Sequence, residues 1–213
     1  ANDKYFKGRP YLDAIIIRQV PDPSVTLELL EKGDIQCLSQ MTIPCAEYAR
    51  LSALGNLDLV TNPITASNMW QLNLDCTEPP FNNVKVRQAL AYAINREEIN
   101  SAVFKGLSVV PKYAYTEKVP WALNKNAKLP AYDPAMAEKL LDDAAYKRGS
   151  DGVRFRVKSI FMDWNRKIQE DINLAVRDQL RKVGIAMEYV LMQESVWVDV
   201  IAKRPQEFDM GTY

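Results

Sequence analysis

The sequence predicts an α/β fold, because two kinds of segment alternate along the chain. Short apolar runs, either rich in β-branched residues or alternating with polar ones, are typical of strands. Amphipathic segments that open on a capping residue and close on glycine are typical of helices. The length of 213 residues fits one large domain, or one and a half lobes of a two-lobed protein.

The first third of the chain predicts strands joined by helices. Residues 12–19 (LDAIIIRQ) form an apolar run that predicts a strand, and Gly33 closes a helix predicted at 25–32. Further elements are strands predicted at 34–39 and 57–60, and a helix at 45–54 with a packing side of Ala46, Ala49 and Ala53.

Residues 61–83 differ in composition, because Asn-Pro, Pro-Pro and Asn-Asn pairs punctuate them around a strand predicted at 69–74. Such punctuation is typical of a connection between compact units. A domain boundary is therefore predicted here, with residues 1–66 in one unit and 67–213 in the other.

Two consecutive helices and a long loop are predicted next. Asn83 is placed to cap a helix at 84–94. Asn95 and Glu98 form the asparagine version of a capping box for a second helix. Residues 107–132, rich in proline, tyrosine and tryptophan, predict an irregular connection packed by its own aromatic side chains.

The last third repeats strand and helix. Asp133 is a cap followed by proline at the first helical position, and Gly184 ends the longest periodic segment. The predicted elements are helices after Asp133, at 168–183 and at 196–203, and strands at 155–161, 185–191 and 207–213.

The composition excludes several classes of function. Histidine is absent, which removes Ser-His-Asp and Cys-His nucleophile systems and histidine-bearing zinc sites. The 8 glycines form neither GxGxxG nor GxxxxGK[ST], so nucleotide-binding enzymes are not indicated. The 27 basic residues balance 27 acidic ones, and no basic segment interleaved with aromatics indicates a nucleic-acid partner. No cofactor is predicted.

The three cysteines, Cys37, Cys45 and Cys76, lack CxxC spacing and predict no metal cluster. Two interpretations stay open: Cys37 and Cys45 pair across a short loop in an oxidising compartment, or all three are free and buried. The longest aliphatic run, residues 14–17, is far shorter than a membrane span.

One loop is a candidate for ligand contact. Between a predicted strand and the long helix, where open α/β sheets bind ligands, lie Met162, Asp163, Trp164, Asn165 and Arg166. Asp163 or Asn165 is placed to cap the helix, and Trp164 to offer an apolar wall. The alternative is an ordinary loop with a packed tryptophan.

Other charged and aromatic residues give weaker indications. Lys203 and Arg204 form a basic pair suited to an anionic ligand, or one that is simply exposed near a helix end. Neighbouring carboxylates on a helix point about 100° apart, so two acidic pairs are predicted to be solvated: Glu97-Glu98 and Asp142-Asp143. Trp70 and Trp121 are predicted to be core anchors or walls of a cleft.

Four segments in order carry a resemblance to a known family: KGRPYLDAIIIRQVPDPSVTLELLEKGDI, PPFNNVKVRQALAYAINREEI, YDPAMAEKLLDDAAY and the helix ending in LRKVGI. Together they resemble the family 5 solute-binding proteins of bacterial ABC transporters, the peptide, dipeptide and nickel binders. The resemblance covers essentially the whole chain. It implies a type II periplasmic-binding-protein fold of two α/β lobes, with residues 1–66 as the end of lobe I and 67–213 as most of lobe II.

The resemblance also implies a site. Residues 162–166 correspond to a loop that lines the family's cleft, and Lys203 or Arg204 to basic positions that contact ligand carboxylates in some members. Thr212 stands where other members use a basic residue for that contact. In the family's peptide binders an aspartate in a W-x-x-D-type segment, just beyond the strand at 208–213, holds the ligand's amino group. The chain stops before that segment, so by itself it is expected to have little or no ligand affinity. Calorimetry with di- to pentapeptides would test this expectation.

By resemblance, the expected function is the capture of a peptide or related small polar solute by a monomer, with delivery to ABC permease subunits and no bond broken. The expected location is the periplasm, or the cell surface as a lipoprotein. Two alternatives stay open. One is a protein-interaction or chaperone-like module that uses the loop 107–132, and the other is a carboxylate-based hydrolase that pairs Asp163 with Asp209.

Overall fold

The chain is described from a computed structural model, which defines residues 4–38, 43–59, 70–113, 120–163, 166–203 and 208–212. Its internal contacts divide it into two compact units, Ala1–Leu59 and Val60–Tyr213. The boundary predicted at 66/67 falls within residues 60–69, outside the described ranges.

In its described residues, 4–38 and 43–59, the first unit contains three helical segments: α1 (Pro23–Lys32), a 3-10 turn (Cys45–Glu47) and α2 (Tyr48–Ser52). The prediction of α1 is confirmed, and its ends have the expected causes. The Asp22 carboxylate accepts a hydrogen bond from the Ser24 N–H at 2.7 Å. Gly33 ends the helix in the left-handed conformation, with φ of 80°.

The strands predicted in this unit are wrong where its residues are described. Residues 12–19 form no strand, and three isoleucines of this run are at least 78% exposed: Ile15, Ile16 and Ile17. Residues 34–38 and 57–59 form no strand either. A β-branched run becomes a strand only when a neighbouring strand takes up its hydrogen bonds, and the described part of this unit offers no such neighbour.

The packing side predicted for the second helix is also wrong. Ala46, Ala49 and Ala53 are exposed, whereas Leu51 is completely buried. Leu51 lies about 200° around the helix axis from Ala49, so α2 packs through its leucine and leaves the alanine side exposed.

The second unit contains a four-stranded sheet and, in its described residues, five helices: β1 (Leu72–Leu74), α3 (Val84–Ala93), α4 (Arg96–Phe104), α5 (Pro134–Asp143), β2 (Phe155–Met162), α6 (Arg166–Lys182), β3 (Ile185–Met192), α7 (Glu194–Ala202) and β4 (Met210–Thr212). The predicted mixed α/β class is confirmed. β1 and β4 have three residues each and are shorter than predicted.

The strand order in the sheet is β1-β4-β2-β3. β2 pairs in parallel with β3 and with β4, and β1 pairs antiparallel with β4. The β2-α6-β3 and β3-α7-β4 crossovers step in opposite directions, so right-handed connections place α6 and α7 on opposite faces. The carboxyl ends of β2, β3 and β4 share one edge with the amino end of β1, called here the carboxyl edge.

The core lies between the sheet and helices α3, α5 and α6. Its most buried members come from every layer: Val86, Leu90, Ala137, Leu141, Leu180, Ile185 and Met210. Burial of such side chains contributes about 1.5–3 kcal/mol each relative to exposure. The parallel strands are thereby held on a rigid base.

The long loop and the thiols differ in part from expectation. Residues 107–113 and 120–132 are irregular as predicted, but Trp121 is 90% exposed and does not pack. No disulfide joins the three cysteines, and the expected burial is wrong for Cys37 and Cys76, which are exposed. Among the described helices, none combines the length and apolar character needed to span a bilayer.

Candidate functional site

The carboxyl edge gathers the ends of all four strands. Met162 at the end of β2 pairs with Met192 at the end of β3. Thr212 in β4 pairs with Phe161 on one side and with Leu72, the first residue of β1, on the other. Open parallel sheets bind ligands beyond such an edge, so this edge is the candidate site.

Asp163 is the first residue beyond β2, and it is exposed. Its backbone N–H donates to the Met192 carbonyl at 2.9 Å. This bond extends the β2–β3 ladder by one residue and fixes the backbone from which the carboxylate projects. An exposed, positioned carboxylate is suited to a charge-assisted hydrogen bond with an ammonium group.

Arg166 opens α6, with a side chain that is 68% exposed. Its Nε donates to Glu170 Oε1 at 2.9 Å, one helical turn away. This ion pair uses one of the five N–H donors of the guanidinium. Arg166 therefore keeps donors for a second acceptor while its own helix restrains it.

The remaining predicted site residues lie elsewhere. Trp164, Asn165 and Arg204 fall outside the described residues. The prediction that Asn165 caps α6 therefore stays a prediction. Lys203 is exposed and directly follows α7, whose 9 residues begin right after β3. A helix of this length rises about 13 Å. The structure thus brings Met162, Asp163 and Arg166 to the edge and places Lys203 at the opposite end of α7.

The carboxylate pair considered for hydrolysis is not assembled. Asp209 exchanges two hydrogen bonds with Lys158: its Oδ2 accepts from the Lys158 N–H at 2.6 Å, and its own N–H donates to the Lys158 carbonyl at 2.9 Å. Asp163 follows Lys158 by five positions, about 16 Å at roughly 3.3 Å per strand residue. Paired carboxylates in glycoside hydrolysis lie about 5–10 Å apart, so this spacing does not fit.

Sequence reasoning missed two exposed residues at the edge, Gln71 and Gln193. Gln193 follows β3 as Asp163 follows β2, so the same positional rule finds it. Gln71 precedes β1, and only the antiparallel pairing of β1 brings it here. Its neighbour Trp70 is half-buried and packs against the core, which agrees with the prediction that it is a core anchor.

Two helix amino ends add to the electrostatics of this edge, because α6 begins four positions after the last residue of β2, and α7 two positions after the last residue of β3. The partial positive charge at a helix amino end favours anionic groups. Asp163 and Glu194 supply negative charge at the same edge. The combination suits a solute that carries charges of both signs.

The chain matches known proteins over nearly its whole length. The family described as bacterial extracellular solute-binding proteins, family 5 Middle, matches residues 1–212. The oligopeptide-binding protein AppA of Bacillus subtilis (strain 168) is 30% identical over 220 residues, covering 98% of this chain and 39% of AppA. The glutathione-binding protein GsiB of Salmonella choleraesuis (strain SC-B67) is 31% identical over 193 residues, covering 87% of this chain and 34% of GsiB.

Solved structures match as well. AppA from Bacillus subtilis in complex with a nonapeptide gives a TM-score of 0.77 at 30% identity, covering 100% of this chain and 43% of that one. The ABC transporter substrate-binding protein CtaP from Listeria monocytogenes gives 0.83 at 20% identity, covering 100% and 42%, and this likeness shows the fold alone. The chain spans 39% and 34% of the length of the two curated relatives.

Proposed function

Because the chain belongs to the bacterial extracellular solute-binding proteins of family 5, we propose that it is part of a protein that captures a peptide or related small polar solute and delivers it to the permease subunits of an ABC importer. The observation that carries this proposal is the family match over residues 1–212. The family and the fold expected from the resemblance are confirmed by that match and by the likeness to the AppA structure.

Peptides are the proposed solute class. AppA is named for oligopeptides, and its structure holds a nonapeptide. GsiB is named for glutathione, which is itself a small peptide. A peptide presents a carboxylate and backbone N–H and C=O groups, and the exposed Asp163, Arg166 and Gln193 offer hydrogen-bond partners for them.

The proposed contacts comprise the loop after β2 and the basic pair after α7: Met162, Asp163, Trp164, Asn165, Arg166, Lys203 and Arg204. Asp163 accepts hydrogen bonds from N–H groups of the ligand, Met162 and Trp164 form an apolar wall, and the cations pair with the ligand's carboxylate. An extended peptide spans about 3.3 Å per residue. A peptide of about four residues is therefore long enough to reach from the loop after β2 to the basic pair at the far end of α7.

The proposed mechanism is passive capture by a monomer, with no cofactor, no nucleic acid and no bond broken. Residues 1–66 belong to lobe I and 67–213 to lobe II, and the division of contacts after Leu59 supports a boundary in this part of the chain. The lobes close on the solute, which shifts the population from open to closed forms. The location is extracytoplasmic, in the periplasm or on the cell surface as a lipoprotein.

The test uses the complete gene product that contains this sequence. Thermal unfolding is followed with dipeptides to nonapeptides, glutathione and free amino acids, and solutes that raise Tm are titrated by calorimetry. Asp163→Asn is expected to weaken peptide binding by about tenfold or more. Asp178→Asn is the matched control, because Asp178 is an exposed aspartate (62%) in the last turns of α6, away from the loop that holds Asp163.

The outcomes separate the function from the site. A gene product that no solute stabilises contradicts the proposed function. Peptide binding that Asp163→Asn and Asp178→Asn leave equally strong contradicts the proposed site and keeps the function.

A further inference from the structure

The described loop residues 107–113 and 120–132, called here the strap, connect α4 to α5. Two hydrogen bonds fasten the strap to α4: Asn100 Nδ2 donates to the Ser108 carbonyl (3.1 Å), and the Arg96 guanidinium donates to the Pro130 carbonyl. Directly after the strap, the Asp133 N–H donates to the Tyr92 carbonyl (2.9 Å) and holds the start of α5 against α3. The strap therefore has a fixed base on α3 and α4.

The two limbs of the strap are also joined to each other. The Leu129 N–H donates to the Lys112 carbonyl at 2.9 Å. Tyr113 and Lys128 form an isolated antiparallel bridge. Beyond this bridge Trp121 is 90% exposed. A paired base presents the indole to solvent, and a tryptophan can bury about 150–250 Å² on contact.

The strap has an uncompensated positive charge. It carries Lys112, Lys125 and Lys128 and no arginine or carboxylate in these two ranges. All three lysines are exposed, and none forms an ion pair with another described residue. By contrast, Lys139 and Lys167 each pair with an aspartate one helical turn away.

We propose that the strap is a docking surface for an acidic surface of another protein, with Trp121 entering an apolar pocket and the three lysines forming the rim. Tryptophan is among the side chains that most often dominate binding at the centre of an interface. Rim charges mainly orient the partners and speed their encounter. The charge of the strap sets the sign of the partner, which must present carboxylates around the pocket.

A membrane surface fits these observations less well. Binding in the lipid interface needs a broad apolar face together with basic residues. Besides Trp121, the described strap exposes Leu107, Val109 and Tyr132, but these lie in irregular backbone at its two ends and do not form the apolar face of a helix. The proposal goes beyond solute capture, since neither the family match nor the carboxyl edge requires a second protein at the strap.

The experiment uses the complete gene product and an array of short peptides rich in Asp and Glu around an apolar pair, beside their Asn and Gln isosteres. The acidic peptides are expected to bind, and the isosteres to bind about tenfold more weakly or less. Trp121→Ala and Lys125→Glu/Lys128→Glu are each expected to lower binding by about tenfold or more. Lys158→Glu/Lys182→Glu is the control with the same change in net charge at two other exposed lysines, and leaves binding unchanged.

Several results would overturn the proposal. One such result is that no acidic peptide of the array binds the gene product. Another is that Trp121→Ala binds the acidic peptides as strongly as the parent protein does. Vesicles of phosphatidylglycerol bind in a strap-dependent way while the acidic peptides do not. Acrylamide fails to quench Trp121 fluorescence, taken as the difference from Trp121→Phe, which means that the rest of the gene product already covers the indole. Asp163→Asn distinguishes the two sites, because it is expected to weaken peptide capture at the carboxyl edge and to leave binding of the acidic peptides at the strap unchanged.

Discussion

Nη1 of Arg154 lies 2.6 Å from Oδ1 of Asp142, and the arginine side chain is only 3% exposed. The same guanidinium donates to the Tyr146 carbonyl at 2.7 Å and to the Val183 carbonyl at 3.0 Å. One buried cation before β2 therefore ties together the ends of α5 and α6. Asp142 and Asp143 have side chains 43% and 42% exposed, in agreement with the predicted solvated pair, and the contact with Arg154 adds an ion pair that the sequence did not reveal.

Replacing Arg154 with alanine is expected to lower the free energy of unfolding by about 2 kcal/mol, because it removes a buried side chain and leaves the carbonyls of Tyr146 and Val183 without their donor. Arg154→Lys should recover little, since an ammonium group cannot reproduce the planar fork. Urea unfolding of the 213-residue chain measures both changes. Arg156→Ala is the control, with a side chain 65% exposed and an expected effect within about 0.5 kcal/mol. Equal losses in Arg154→Ala and Arg156→Ala would refute this account.

Acid should weaken the same junction. The hydrogen bond from Arg154, with help from Lys147, lowers the pKa of the Asp142 carboxyl. A lowered folded-state pKa means that Asp142 stabilises the fold above its ordinary pKa of about 3.9, and that this contribution is lost as pH falls through the folded value. Asp142→Asn should therefore be less stable than the parent chain at neutral pH, and the gap should narrow below about pH 4. Thermal unfolding across this range tests the prediction, and a gap that does not change with pH contradicts it.

Two adjacent asparagines offer a matched test of helix capping. Asn83 Oδ1 accepts from the Lys85 N–H at 2.9 Å and caps α3, whereas the Asn82 side chain is exposed. Asn83→Ala is expected to lower the free energy of unfolding by about 1 kcal/mol. Asn82→Ala should change it by less than about 0.5 kcal/mol. Denaturant titration measures the free energy of unfolding of both variants. Equal losses in the two variants would show that the polarity of this segment, and not the cap, stabilises the fold.

Ser159 lies in the middle of β2, completely buried, and its Oγ has no hydrogen-bond partner among the described residues. Removing an unsatisfied hydroxyl relieves its desolvation penalty, so Ser159→Ala is expected to be neutral or stabilising by about 1 kcal/mol. Val157→Ala on the same face should instead cost about 2 kcal/mol through lost burial. Calorimetric unfolding compares the two. A Ser159→Ala loss as large as that of Val157→Ala would reveal an ordered water on the hydroxyl.

The helices of the second unit were predictable because their signals are local. Asn83, Asn95 and Asp133 each cap the helix that the sequence assigns to them. The run at 12–19 failed for the opposite reason, since a strand needs a neighbour that its own residues do not reveal.

The candidate site divides in the same way. Asp163 and Arg166 follow from the rule that ligands bind beyond the carboxyl ends of parallel strands. Gln71 reaches that edge only through the pairing of Leu72 with Thr212. This relationship joins residues distant in sequence, and no local pattern encodes it.

The described partner of β1 is β4, whereas β2, α6 and β3 follow one another directly. Neighbouring segments associate quickly, and pairing between remote ones is slow. During synthesis on the ribosome, β1 emerges before every other strand of the sheet and must wait until β4 is made. We therefore expect this sheet to begin folding around β2 and β3, with β1 among the last of its described strands to be incorporated.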